Sequence, residues 1–219
     1  MNIFQKLSWM RQMGIRYLCG EQAHPLEKKQ VKQTSVSLSE LDKKIQKSKS
    51  ALSATATHSF GGIGIIPADV MCVLESPSAS EDRTGEALSG PEGELLKKML
   101  KAIGLDTSKQ TYVAYLSPWR APGARVLTSL ETQEGVKLLN ERIKVVQPKI
   151  LLLFGMPVVK ALLNMPLGQT RSKQCDYHGI PVFATFGPSF LLKNTRYKKE
   201  AWSDLKKLQE FLTKNTSLC

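Results

Sequence analysis

Three polar segments carry residue types suited to chemistry on a phosphate-bearing substrate. The first reads Leu74-Glu75-Ser76-Pro77-Ser78 and is followed by Glu81 and Asp82. A carboxylate at the end of a strand can orient a water or steady a cationic transition state. The same spacing also describes a solvated acidic turn. Ser76, Pro77 and Ser78 make a stiff loop with free N–H groups, suited to a phosphate or a base edge. The second segment, Tyr115 to Arg125, reads Y-L-S-P-W-R-A-P-G-A-R. Pro118, Pro122 and Gly123 stiffen it, while Arg120 and Arg125 are placed to meet phosphate. Trp119 serves there either as core or as a stacking platform. The third reads T-F-G-P-S-F-L-L-K-N and opens a helix at Gly187-Pro188-Ser189, whose N-terminal dipole attracts an anion. Leu191 and Leu192 are either a wedge for a duplex or packing beneath the loop, and Lys193 follows them.

These segments need a scaffold, and the hydrophobic pattern supplies one. Val70–Leu74, Thr111–Leu116, Lys149–Phe154 and Ile180–Thr185 read as buried strands. Helical spacing covers Gly93–Ile103, with Gly104 as its stop. Thr128 and Glu131 form a capping box for a helix to about Val146. Pro157 opens a helix through Leu163, and Tyr197–Lys214 is basic and amphipathic. Strand and helix alternate four times, which predicts an α/β fold: three αβα layers around a central four-stranded parallel sheet. In that architecture function collects beyond the carboxyl ends of the strands, where all three segments fall. The expected organisation is an amphipathic helix at residues 1–20, with Ile3, Phe4, Leu7, Met10, Met13 and Leu18 on one face, then a lysine-rich linker at 21–50 with a helical turn near Leu38–Ile45, then a folded domain at 51–219.

Charge and cysteine usage narrow the class. Thirty-one Lys and Arg against nineteen Asp and Glu give a net charge of +12, which suits a polyanionic partner. No apolar run is long enough to span a bilayer. The first twenty residues lack a secretory h-region, although their composition leaves a mitochondrial presequence open. Cys19, Cys72, Cys175 and Cys219 include no CxxC pair, so no metal site is written locally. A reducing compartment without a disulfide framework is expected, of the bacterial cytoplasmic type. His178 sits in a Tyr-His-Gly turn and reads as an exposed residue. No G-x-G-x-x-G or P-loop follows a strand, which disfavours a nucleotide-binding module.

Taken in order, the segments resemble those of the uracil-DNA glycosylase superfamily, most closely its family-4-like branch. The GE-x-P-G…ED-x-x-G…G-x-LL stretch is similar to Leu74-Glu75-Ser76-Pro77-Ser78, Glu81-Asp82, Gly85, Gly93 and Leu95-Leu96. R-P-P-G-N-R resembles Arg120 to Arg125, L-G resembles Phe154-Gly155, H-P-x-x-LL resembles Gly187 to Leu192, and W-x-DL resembles Trp202 to Leu205. The resemblance implies an enzyme that flips a deaminated base out of DNA and hydrolyses its N-glycosidic bond. It places Glu75 and Asp82 as candidate catalytic carboxylates and Leu88, Tyr115 and Gly187 in the base pocket. The phosphate-facing set is Ser117, Arg120, Arg125, Pro188, Ser189, Leu191 and Lys193. The pocket departs from the family's pattern: Leu88 stands for a phenylalanine, Tyr115 for an asparagine and Gly187 for a histidine. Many family-4 members hold an iron–sulfur cluster, but a cluster cysteine falls at Trp119 here, so no cofactor and no metal are expected. The expectation is a monomeric DNA repair protein that binds single- or double-stranded DNA and hydrolyses a flipped base. The alternative is an inactive glycosylase-fold module that binds nucleic acid or serves as a scaffold.

Overall fold

The computed structural model describes residues 37–48 and 50–216. The helix expected at residues 1–20 and the first part of the linker lie outside the described residues. Six strands form one mixed sheet: β1 (Gly62–Gly64), β2 (Val70–Leu74), β3 (Thr111–Tyr115), β4 (Ile150–Phe154), β5 (Cys175–Tyr177) and β6 (Ile180–Thr185), in the order β1-β3-β2-β4-β6-β5. The four inner strands β3, β2, β4 and β6 are mutually parallel. They read as continuous apolar runs (VMCVL, ILLLF) because helices cover both faces. The expected four-stranded parallel sheet is therefore the centre of a six-stranded one. β1 and β5 pair antiparallel at its two edges. Each is three residues long, too short for a periodic signal, and β1 is Gly-Ile-Gly.

Eight α-helices accompany the sheet among the described residues: α1 (Leu38–Gln46), α2 (Ala79–Thr84), α3 (Gly90–Ala102), α4 (Ser129–Val146), α5 (Met156–Leu163), α6 (Leu167–Ser172), α7 (Pro188–Lys193) and α8 (Lys198–Thr216). Alternate strand residues separate two cores. Met71, Val73, Ala114, Leu151 and Leu153 pack with Ile45 of α1, Leu139 and Ile143 of α4 and Val158 and Val159 of α5. Val70, Cys72, Val113, Leu152 and Phe154 pack with Leu96 and Leu100 of α3, Leu191 of α7 and Leu205 and Leu208 of α8. This period-two split across one sheet is what makes the three layers.

The lysine-rich stretch read as a linker to residue 50 contains α1, and α1 belongs to the folded unit. Ser37 and Glu40 make a reciprocal capping box at its start. Leu41 and Ile45 are buried, and the buried Arg142 of α4 donates to Asp42 Oδ1 at 2.7 Å and to the Tyr112 hydroxyl at 2.8 Å. Lys43, Lys44 and Lys47 are thus the exposed face of a docked helix; linker composition and such a face look alike in sequence. Among the described residues no helix is long and apolar enough to cross a membrane.

Candidate active site at the carboxyl ends of the strands

The parallel register brings the three segments to one edge of the sheet. Leu74 pairs with Tyr115 at the ends of β2 and β3, and Phe154 pairs with Thr185 at the ends of β4 and β6. Glu75, Tyr115, Gly155 and Gly187 therefore stand along the same edge, spread over about 14 Å at one strand spacing of ~4.8 Å each. The second loop is clamped to the first: Leu116 N–H donates to the Leu74 carbonyl at 2.7 Å, and Ser117 N–H to the Glu75 carbonyl at 2.9 Å. The third is tied to β4 by the Gly155 N–H donating to the Thr185 carbonyl at 2.8 Å.

At the β2–β3 end the expected pocket residues Leu88 and Tyr115 are buried against a carboxylate. Tyr115 is only 3% exposed and donates its hydroxyl to the buried Glu81 Oε1. Burial, with the negative charge of Glu81 second, pushes the Tyr115 phenol far above its ordinary value. Glu81 is the third residue of α2 and closes a capping box with Ser78, accepting the Ser78 N–H at 2.6 Å. Its Oε1 also accepts the Leu88 N–H at 2.7 Å. Leu88 is buried with a left-handed φ of 58°, and a methyl group added at Gly93 would run into its carbonyl. The Phe60 ring leans on Tyr115 with centroids 5.9 Å apart. Glu81 thus organises three backbone and side-chain donors, a structural task that its flanking serine signals in sequence.

The remaining carboxylates divide. Asp82 Oδ1 accepts the backbone N–H groups of Thr57 at 2.9 Å and His58 at 3.0 Å, and so fixes the segment that carries Phe60. The oxygen of this expected catalytic carboxylate is thus already engaged by backbone donors. Glu75 is half-buried and its side chain makes no hydrogen bond or ion pair among the described residues. Burial raises its carboxyl above the ordinary range.

The phosphate-facing set divides in the same way. Ser117 is buried and its hydroxyl donates to the Trp119 carbonyl at 2.9 Å. Arg125 is engaged through both terminal nitrogens with Glu131, at 2.8 and 2.6 Å, and that pair holds the Glu131 carboxyl down at about 2. Pro188 is buried. Leu191, one of the expected DNA-facing residues, is 1% exposed and lies in the core beside α3 and α8, which fits the packing alternative read for it; its neighbour Leu192 is 39% exposed. Arg120, Ser189 and Lys193 keep polar groups uncommitted to partners among the described residues.

Gly187 has an ordinary φ of −70° and starts α7 without a side-chain cap. A Cβ there would meet nothing nearer than 3.8 Å, the Phe154 carbonyl oxygen, so the position has room for a side chain. Beyond it lie residues that the sequence reading passed over. Phe186, Phe190 and Tyr197 form an aromatic cluster with centroids 5.1–5.3 Å apart, and the Arg171 guanidinium sits 4.4 Å over Phe186. Phe186 and Phe190, four residues apart around the Gly-Pro start, were the available signal.

Cys19 and Cys219 lie outside the described residues, and the described ones gather no ligand set for an iron–sulfur cluster. Among the described residues no three His, Cys, Asp or Glu side chains gather to hold a metal. Trp119, where the resemblance puts a ligand, is 4% exposed and packed in the core. Cys72 lies inside β2 with its thiol pushed up to about 12 by burial, and Cys175 lies on edge strand β5, three strand positions away. Packing closes the place instead: Ser59 bridges to Trp119, and Phe60 N–H donates to the Pro118 carbonyl at 2.8 Å.

The mixed sheet covered on both faces, with its loops gathered at one edge, defines a three-layer αβα protein. The profile described as the Uracil DNA glycosylase superfamily matches residues 62–206, and the chain belongs to that superfamily. It is 26% identical to the Type-4 uracil-DNA glycosylase of Archaeoglobus fulgidus over 176 residues, covering 76% of this chain and 88% of the relative. Identity to the Type-4 uracil-DNA glycosylase of Sulfurisphaera tokodaii is 28% over 166 residues, covering 70% of this chain and 74% of that one. A DNA polymerase of Bacillus phage SP01 is 28% identical over 156 residues, which is 71% of this chain and 17% of the polymerase.

Proposed function

We propose that this chain is a DNA repair protein of the glycosylase class that binds DNA at the carboxyl edge of its sheet and hydrolyses the N-glycosidic bond of a flipped, deaminated base. The observation that carries this reading is Glu75. It keeps the family-like position after β2, stays free of partners among the described residues, and is half-buried beside loops whose uncommitted polar groups are Arg120, Ser189 and Lys193. In that place its carboxylate orients a water toward the sugar carbon and steadies the oxocarbenium-like charge that builds as the base leaves as an anion. The phosphates on either side bind to Arg120 and Lys193. The workplace this implies is a compartment holding DNA, such as the bacterial cytoplasm.

A second reading rests on Tyr115. A buried phenol tied to Glu81, with Leu88 beside it, occupies the space a base needs, which favours a protein that grips DNA without excising. One experiment separates the two. Uracil- or hypoxanthine-containing oligonucleotides are incubated with stoichiometric protein and cleaved with alkali. Abasic product that vanishes in Glu75→Gln supports hydrolysis. Absence of product with salt-sensitive binding supports the second reading. Absence of both overturns both.

A further inference from the structure

The aromatic cluster beyond β6 has no role in the chemistry proposed above, and its construction suggests one. Phe186 and Phe190 lie nearly parallel, 14° apart with centroids at 5.3 Å, and Tyr197 closes on both at 5.1 and 5.3 Å. The cluster stands on a rigid base. Arg171 carries Phe186 at 4.4 Å, and its guanidinium is held by Asp204 at 2.6 Å and Glu200 at 3.1 Å. Asp204 is itself buried and accepts the Thr185 hydroxyl at 3.0 Å. A second guanidinium, Arg196, lies 4.9 Å over Tyr197. Phe190 is the most exposed ring, at 40%, in a helix whose Pro188 and Leu191 are buried and hold it in place. Phe186 and Tyr197 are partly buried against the core, and Phe190 carries the cluster into the open.

The surroundings select the ligand. Between residues 193 and 200 stand Lys193, Arg196, Lys198 and Lys199 against one acid, Glu200, and Glu200 is already spent on Arg171. The three lysines are exposed and have no acidic partner among the described residues. Flat aromatic surface framed by cations is the composition that holds an unpaired nucleobase and its phosphates. The geometry points to a single-strand platform: Phe190 stacks on an unpaired base of the strand whose neighbour reaches the Glu75 edge, which gives the protein a preference for single-stranded over duplex nucleic acid. This rests on the DNA-binding part of the proposed function and adds its strand class. Duplex bases are stacked on one another and offer no free face, so the gain is confined to unpaired strands. Any base serves, because each has a π face.

The test uses the full chain with two fluorescent ligands of equal phosphate number: an oligothymidylate and a hairpin closed at both ends. Binding is measured by anisotropy over a salt series. Phe190→Leu keeps apolar bulk but has no ring, and should weaken single-strand binding on the order of tenfold with an unchanged salt slope, while hairpin binding stays within about twofold. Phe190→Trp should retain single-strand affinity. Lys193→Gln should weaken both ligands and lower the salt slope by about one. Wild-type affinity for the single strand in Phe190→Leu, or an equal loss on both ligands, overturns the platform while leaving the DNA reading in place. The latter result would mark the patch as a duplex or protein contact. Wild-type protein that binds neither ligand removes the DNA reading itself, and the platform with it.

Discussion

If Tyr115 fills the base pocket, replacing it should cost stability and make room for chemistry. In Tyr115→Asn the phenol's bond to the Glu81 carboxylate is lost, worth about 1.5–3 kcal/mol for a charged acceptor, along with the tilted contact to Phe60, worth about 0.5–1.5 kcal/mol. Asparagine refills part of the space, and a net loss of about 3 kcal/mol follows, within the roughly 5–15 kcal/mol that holds a domain of this size. Gly187→His should be near neutral. Its φ of −70° suits any residue, and the nearest heavy atom to its Cβ lies at 3.8 Å. Combined, the two changes open space at the β2–β3 end and add an imidazole donor farther along the same edge, after β6, which should raise uracil excision on the order of 100-fold over wild type. Urea titration followed by circular dichroism reads the first effect, and alkaline cleavage of a uracil oligonucleotide reads the second. A Tyr115→Asn midpoint equal to wild type would refute the plug. The expected loss of stability with no abasic product from the folded double variant would show that the cleft is closed by more than this side chain.

Four further outcomes follow from particular contacts. Burial favours the neutral form of Glu75, so the native state loses stability as pH rises through its elevated titration; Glu75→Gln should be more stable relative to wild type at pH ~8 than at pH ~5 in paired urea curves. Glu131 runs the other way: Arg125 depresses its carboxyl to about 2, so its contribution is present above about pH 5 and drains away toward pH 2. An acid titration of Glu131→Gln should accordingly be flatter over that window. Asp204→Ala leaves Arg171 with Glu200 alone and strands the buried Thr185 hydroxyl, and should cost about 2–3 kcal/mol, read as a fall in Tm. Mass-mapped alkylation of the native protein should leave Cys72 unmodified until denaturant is added, because its buried thiol titrates only at about 12.

The scaffold was legible because its cues are strong and local. The four inner strands are unbroken apolar runs, Thr128 and Glu131 spell a capping box that forms as written, and Gly104, at φ 79°, ends the turn after α3. Short pieces escaped: β1, β5 and α6 are three to six residues long, below one clear period of any pattern. α1 was hidden by its lysines, which describe a solvated face as well as a tether. In the site, residue type showed which groups could act but not which were already engaged. Glu75, Glu81 and Asp82 look equivalent along the chain, yet Glu81 and Asp82 are taken up by backbone N–H groups and Glu75 is not. Arg120 and Arg125 differ in the same way, since only Arg125 has Glu131 six residues ahead and facing it. Leu191 and Leu192 are adjacent, and helical geometry must send one inward and one outward; the register of α7 on α3 and α8 decides which.

Leu88 and Tyr115 are coupled through one buried group. Both converge on one carboxylate oxygen, Glu81 Oε1, which accepts the Tyr115 hydroxyl and the Leu88 N–H together. An asparagine at 115 is shorter than tyrosine by most of a ring and would leave Glu81 short of that donor, so the tyrosine fills a volume and satisfies a buried acceptor at once. Leu88 holds its left-handed φ against the Gly93 backbone, and its N–H on Glu81 helps fix that turn. The β2–β3 end is therefore organised around an internal anion. Gly187 is different in kind: a Cβ there would touch neither residue, would make only ordinary contacts, and would follow directly on Phe186 of the aromatic cluster. A change there alters what the edge presents to a ligand without disturbing what holds the fold. The filled end at β2–β3 and the open end at β6 are thus separable. That is why Tyr115 should govern excision while Phe190 governs the choice of strand, and why neither variant should reproduce the other's defect.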